Sequence, residues 1–298
     1  MTDTTHRYSL RDLEKLTGIK GDTIRIWESR YGILKPEYTP TRRRSYSDSD
    51  LVHLLNVSLL YRHGSKISVI ASLPHDEAAR QAALLEAGSF EPDSFMDRLV
   101  IAMLHLDEAK VNETLLDSVI RIGFEDTFKS VVFPFLYRVG VMWHTGLVNS
   151  GTEHFISHIF RNRLILAADS ISKPENASAR RVLMYLPEDE YHELALLYYR
   201  YIIRKRGHRI LYLGQSTPMS SVIEVARQWN PDLIITGIIS GVAYPEPHKY
   251  IRELGTSLKG ITILVAGLLA DAATEPRIRN VKPFRNESDL LRHLKQHI

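Results

Sequence analysis

The run PEDEYHELALLYYRYIIRKRGHRILYLG, residues 187–214, decides the fold. From Leu194 to Ile203 its apolar residues recur at helical spacing. The segment is flanked by ARRVLMYLPE (179–188) and closes on HRILYLG (208–214), two short runs of branched and aromatic residues that read as buried strands. PDLIITGIIS (231–240) and KGITILVAG (259–267) are two further strands, separated by the helical segments PMSSVIEVARQWN and YPEPHKYIRELGTSLK. Strand-helix alternation of this kind gives a parallel sheet with right-handed crossovers, and ligands collect at the carboxyl ends of its strands. Glu190-Tyr191-His192 follows the first strand directly and therefore stands at that edge. A lone loop histidine is usually solvated or structural. Here a carboxylate two residues earlier can accept the second ring N–H, which fixes the tautomer and makes the other nitrogen a better metal ligand. Ser240-Gly241-Val242 and Ala266-Gly267, after the third and fourth strands, leave a slot for a long ligand tail.

The whole chain has 298 residues, enough for two or three domains each with its own core. Hydrophobic residues at 44% and charged residues at 24% describe an ordinary soluble protein, without an apolar run long enough to span a membrane. The first residues, MTDTTHRYSL, carry no apolar targeting core, and the expected location is the cytoplasm. With no cysteine, neither a disulfide nor a thiolate metal site can form. The net charge of +3 is unevenly spread: residues 1–74 hold 12 Lys/Arg against 8 Asp/Glu, leaving 26 against 27 elsewhere. The basic excess points to a polyanion at the amino-terminal end.

That end reads as a DNA-binding head. Ser9 with Asp12 starts a helix carrying Leu10, Leu13 and Leu16, and Gly18 stops it. A second helix, from about Asp22 to Arg30, turns Ile24 and Trp27 inward and leaves Thr23, Arg25, Glu28 and Arg30 on polar faces. Two short helices around a glycine turn are the helix-turn-helix layout, whose second helix enters the major groove. Pro36 and Pro40 then exclude a helix, and Arg42, Arg43 and Arg44 make a basic wing suited to phosphates, before Ser47 and Asp50 cap a third helix.

From Asp76 to about Ser170 four segments repeat apolar residues at three and four, which makes a helical bundle. A linker is expected near 73–78 and a break near 88–93. Trp143 ends the third segment, and Glu153 and His154 follow Thr152, the expected N-cap of the fourth. One reading makes these a core indole and two solvated first-turn residues. Another lets His154 and His158, four apart, bind zinc with Glu153. A third treats indole, acid and imidazole as one site.

The head resembles the winged-helix domain of MerR-type regulators: Thr23, Arg25, Trp27, Glu28, Arg30, Tyr31, Gly32, Pro36, Arg43 and Tyr46 fall on that family's motif, with Arg42 where many relatives place glycine. The resemblance implies DNA contacts from Thr23, Arg25, Arg30, Tyr31 and Arg43, and the charge of the wing adds Arg42 and Arg44. The last third is similar to the cobalamin-binding Rossmann-like domain, with its Asp/Glu-x-His-x-x-Gly, Ser-x-Leu and Gly-Gly motifs; Ala195 and Ala266 stand in two of the glycine positions and Val242 in the leucine position. The whole order resembles the CarH and LitR light-responsive repressors, where a Trp-x9-Glu-His motif fits Trp143, Glu153 and His154.

The fold expected is therefore a winged helix-turn-helix head over 1–75, a four-helix cap over 76–175 and an α/β Rossmann-like domain over 178–298. The implied cofactor is adenosylcobalamin, held by Trp143, Glu153, His154, Glu190, His192, Ser240, Gly241 and Gly267. In that resemblance His192 replaces the cofactor's own dimethylbenzimidazole as lower cobalt ligand, Trp143 roofs the adenosyl group, Glu153 bonds its ribose, and His154 ligates cobalt from above after photolysis. The implied partners are operator DNA and further copies of the chain, as a dimer or tetramer, with no membrane. The expected function is a transcriptional regulator, a repressor, and not an enzyme. One rival keeps the head but lets Ala195 and Ala266 abolish corrinoid binding; the other, a corrinoid carrier for methyl transfer or a mutase, leaves the basic head without a use.

Overall fold

The computed structural model describes residues 7–88, 92–144, 146–172, 179–239, 246–273 and 278–295, and it forms two compact units, 1–159 and 160–298.

The first unit begins with α1 (Leu10–Thr17), held by a reciprocal Ser9/Asp12 capping box and closed by Gly18 in the left-handed region. Next is α2 (Gly21–Tyr31), which buries Ile24 and Trp27. The wing is an antiparallel pair, β1 (Glu37–Tyr38) and β2 (Arg44–Ser45). Arg42 in its turn has φ 55, the conformation a glycine adopts without strain. Two backbone bonds across Thr39, from Arg42 N–H to its carbonyl at 2.8 Å and from its own N–H to the Arg43 carbonyl at 2.9 Å, hold the turn nonetheless.

A second capping box, Ser47 with Asp50, opens α3 (Asp48–Arg62). It is followed by α4 (Ile67–Ile70) and α5 (His75–Gly88). The linker expected near 73–78 is thus mostly the start of α5, which packs on α3 and buries Ala78 and Ala82. Pro74 reads as a breaker, but a proline at a helix entrance costs nothing because its missing N–H has no intrahelical partner there.

Where α3 meets α5, His53 is buried and stacks on His75, ring centroids 3.6 Å apart. Burial first, then the neighbouring His75, pushes the His53 imidazole down to about 4, against a smaller upward pull from Asp50. The unfolded chain takes up this proton near pH ~6.5 and the folded head only near 4. Stability is therefore whole above about 6.5 and declines as the pH falls towards 4, by up to about 3 kcal/mol. Urea midpoints should fall over that window, and His53→Leu should flatten the decline.

The bundle helices are α6 (Pro92–Leu104), α7 (Glu108–Ile122), α8 (Phe124–Thr127), α9 (Phe133–His144) and α10 (Ser150–Asp169). A π-helical turn, Phe128–Val132, joins α8 to α9. Pro134 lies just beyond it: lacking an N–H, it cannot serve the carbonyl four residues back, and a wider turn accommodates the break. The start of α10 is three residues earlier than expected, because the Asn149 side chain, not Thr152, caps it by accepting the Thr152 N–H at 2.9 Å. α10 continues across the division between the units.

In the second unit β3 (Arg181–Pro187), β4 (Arg209–Thr217), β5 (Leu233–Ile238), β6 (Thr262–Gly267) and β7 (Val281–Pro283) form one parallel sheet in the order β4-β3-β5-β6-β7. Four of these strands lie on the apolar runs of the sequence; β7 has only three residues and shows no periodicity. One face packs on α12 (Met219–Trp229), α13 (Pro247–Ser257) and α14 (Leu268–Ala272). The other packs on α11 (Leu194–Lys205) and α15 (Glu287–Lys295). Chain order reverses between β3 and β5, so the crevice at their carboxyl ends is the topological switch point of the sheet.

Candidate functional site

In the head, a concave surface of about 520 Å³ gathers Arg11, Lys20, Arg25, Arg42, Arg43 and Arg44, against only Glu14 and Asp22. Four of these cations were legible as a wing and a recognition helix. Arg11 and Lys20 were not, since they are single basic residues scattered in α1 and before α2. Thr23, Arg30 and Tyr31 do not line this surface. On α2, Ile26 is exposed, an apolar residue off the buried face that suits contact with a base methyl group.

Arg44 differs from its neighbours. Its Nε lies 3.3 Å from Glu28 Oε2, and Glu28 Oε1 accepts the Tyr46 hydroxyl at 2.5 Å. Burial, reinforced by this carboxylate, drives the Tyr46 phenol far above its ordinary range, so it remains a donor. Arg44 therefore ties the wing to the recognition helix. Arg43→Ala should weaken DNA binding at all sequences and lower the salt slope by about 1. Arg44→Ala should also cost roughly 1–2 kcal/mol of head stability, because it strips a buried carboxylate of a partner. Salt-dependent binding and thermal melting of the two variants separate the roles.

In the second unit, the loop after β3 is pinned by three hydrogen bonds to the end of β4. Ser216 N–H donates to the Glu190 carbonyl at 3.2 Å, Asp189 N–H to Ser216 Oγ at 3.1 Å and Gln215 Nε2 to the Tyr191 carbonyl at 2.6 Å. These contacts exist because β4 is irregular at its carboxyl end, where register shifts against β3 and Gly214 takes φ 89. Glu190 is wholly buried. Its Oε1 accepts the His192 backbone N–H at 2.9 Å and lies 2.6 Å from His192 Nδ1, while Oε2 accepts Ile239 N–H at 2.7 Å from the end of β5. One carboxylate thus links both sides of the switch-point crevice. With Nδ1–H directed at Glu190, Nε2 carries the imidazole lone pair, and the side chain is 60% exposed.

Gly267 closes β6 at φ 62. A Cβ there would stand 2.1 Å from the Ile238 carbonyl oxygen, so the residue is a requirement of close strand approach. Ala266, opposite Gly237 in register, directs its methyl at a residue with no side chain, 3.3 Å from where a Gly237 Cβ would be. Ala195 is half-buried in the first turn of α11. Ser240, Gly241 and Val242 lie outside the described residues.

Two residues escaped the sequence reading. Thr236 on β5 is fully buried and its hydroxyl has no hydrogen-bond partner. Glu193 is buried too, accepting Arg161 Nε at 2.5 Å and the Tyr212 hydroxyl. It looks like one more acid in an acidic loop, and only packing reveals it. An exposed imidazole presenting Nε2 from a buried carboxylate, with an unmet buried hydroxyl on the adjoining strand, fits a metal-centred ligand that extends into the sheet.

In the first unit, α9 ends at His144 with Trp143 48% exposed. Gly146 and Leu147 N–H return to the Trp143 and Met142 carbonyls, both at 2.9 Å, with Gly146 at φ 73. This tight connection brings the end of α9 and the start of α10 to the same end of the unit. Glu153 closes the first turn of α10 and His154 opens the second, His154 Nδ1 3.0 Å from Glu153 Oε2. The His154 and His158 rings are 6.4 Å apart. No group of three or more His, Asp or Glu side chains among the described residues is placed to hold a metal ion, which corrects the zinc reading for that helix.

Residues 8–74 match the MerR HTH family of regulatory proteins, and residues 96–166 match the B12 binding domain. The chain thus carries a MerR-type helix-turn-helix segment and a segment that matches the B12 binding domain. Along most of its length it is similar to two Myxococcus xanthus proteins. It is 26% identical to the HTH-type transcriptional repressor CarH over 277 residues, 91% of each chain, and 24% identical to CarA over 261 residues, 87% of this chain and 86% of that one. The Methanosarcina barkeri monomethylamine corrinoid protein shares the fold, with TM-score 0.55 and 12% identity over 69% of this chain and 96% of its own. Among the described residues no helix is long and apolar enough to cross a membrane.

Proposed function

We propose that the chain is a DNA-binding repressor whose hold on its operator depends on adenosylcobalamin and, through photolysis of that cofactor, on light. The observation that carries this reading is the Glu190–His192 pair at the sheet's switch point. When bound, adenosylcobalamin would supply a cobalt–carbon bond that visible light breaks. His192 offers Nε2 to the metal. Glu190 holds that imidazole in one tautomer and ties its loop to β5. Thr236 offers a buried hydroxyl to the ligand's tail, Gly267 ends the neighbouring strand β6, and Ser240 and Gly241 are carried over from the sequence motif alone. Trp143 supplies a flat apolar surface for the adenosyl group, with Glu153 accepting a ribose hydroxyl proton. His154 would supply a second imidazole to the metal. The basic concavity of the head meets DNA phosphates, and a second or fourth copy of the chain raises operator affinity through effective concentration.

Illumination tests the His154 assignment. His154→Ala should bind cofactor in darkness like the unsubstituted protein, then lack the two-imidazole spectrum after light and release corrinoid at least tenfold faster. His144→Ala is the control, since His144 directly follows Trp143. Loss of the spectrum in His144→Ala with His154→Ala unaffected would move the role to His144.

A further inference from the structure

The two family matches end and begin on either side of α5, yet an ion cluster joins them. Arg62, the last residue of α3 in the head, donates through one guanidinium nitrogen to Asp97 Oδ2 at 2.6 Å and through another to Asp93 Oδ2 at 3.2 Å. Asp97, on α6 of the bundle, is buried and takes a second bond, from Arg138 of α9 at 3.0 Å on Oδ1. The cluster borders a cavity of about 600 Å³ that Lys15, Lys20 and Trp27 line from the head.

We propose that Asp97 is a positioning residue for the DNA-binding head: it clasps Arg62 while Arg138 holds it from behind, so that the bundle sets the head's pose. A continuous path of contacts supports this. Trp27 of the recognition helix packs edge-on against Tyr61, centroids 5.1 Å apart, and Tyr61 adjoins Arg62. On the far side, Arg138 sits on the same helix as Trp143, five residues before it. A shift of α9 along its axis therefore acts on the carboxylate that holds the head. The clasp also has a built-in weakness. One Arg138 nitrogen is buried without a hydrogen-bond partner, so closing the cluster leaves a dry donor unmet, and opening it to water relieves that cost. Three charge-assisted bonds opposed by an unmet donor make an element with a closed and an open state. The inference does not depend on what the second unit binds.

The chain has no cysteine, so Lys35→Cys with Glu108→Cys, both exposed and outside the cluster, gives spin labels at two positions only. Pulsed electron paramagnetic resonance on the full chain should return one narrow distance distribution. Arg62→Gln and Asp97→Asn should each at least double its width with helical circular dichroism unchanged. Arg98→Gln, which breaks an ion pair with Asp117 inside the bundle, should leave it narrow. If Asp97→Asn loses its helical signal, Arg62→Gln decides alone. An unchanged width in Arg62→Gln, or equal broadening in Arg98→Gln, overturns the proposal.

Discussion

His192→Ala is expected to lose at least tenfold, and up to several hundredfold, of its adenosylcobalamin affinity while keeping its fold. The side chain is 60% exposed and packs into no core, so truncation removes a ligand and not a support. What remains is a loop still fastened by Glu190, whose carboxylate keeps the backbone N–H groups of residues 192 and 239. Absorbance titration should show a corrinoid carrying its own base in place of a protein imidazole. Glu190→Gln is a graded companion: outer partners of metal ligands are commonly worth 10–100-fold. It should also lower stability, because a buried acceptor of several N–H groups becomes part donor. Equal affinity and spectrum for His192→Ala would remove His192 from the metal.

The second large effect is expected at Gly267, in stability. Gly267→Ala must place a methyl group 2.1 Å from the Ile238 carbonyl oxygen, at φ 62 and ψ −139. Strained backbone and forced separation of β5 from β6 together should cost about 3 kcal/mol or more, which lowers the melting temperature by roughly 10 °C. Ala266→Gly, one residue earlier, should cost far less, about 1 kcal/mol, since it removes one partly buried methyl group and forces no contact. Thermal melts of the two variants give the comparison. A Gly267→Ala protein that melts like its parent would mean that β5 and β6 do not approach this closely.

The same residues explain how much the sequence disclosed. Capping boxes at Ser9 and Ser47, and the apolar runs of β3 to β6, are local signals, and the helices and strands form where those signals lie. His192 was legible because a carboxylate two residues away is a local relation as well. The tie from Arg44 to Glu28 was not legible, since nothing in an arginine run tells which guanidinium will meet a buried acid sixteen positions earlier. Thr236 and Glu193 were missed for a related reason: a hydroxyl within an apolar strand and an acid within an acidic loop acquire meaning from burial, a property of the packed chain. β7 has too few residues to show a period, and the entry of α5 at Pro74 uses a residue that marks both the ends and the beginnings of helices.

The central claim is that cobalamin and light control the hold of this chain on DNA, and one gel-shift series tests it most directly. A duplex selected from a random pool by the adenosylcobalamin-loaded protein in darkness is titrated with three preparations: cofactor-free protein, loaded protein kept dark, and loaded protein after illumination. The account predicts tight binding by the dark loaded form and at least tenfold weaker binding by the other two, a difference of about 1.4 kcal/mol or more. Equal affinity of all three preparations for that duplex would contradict it.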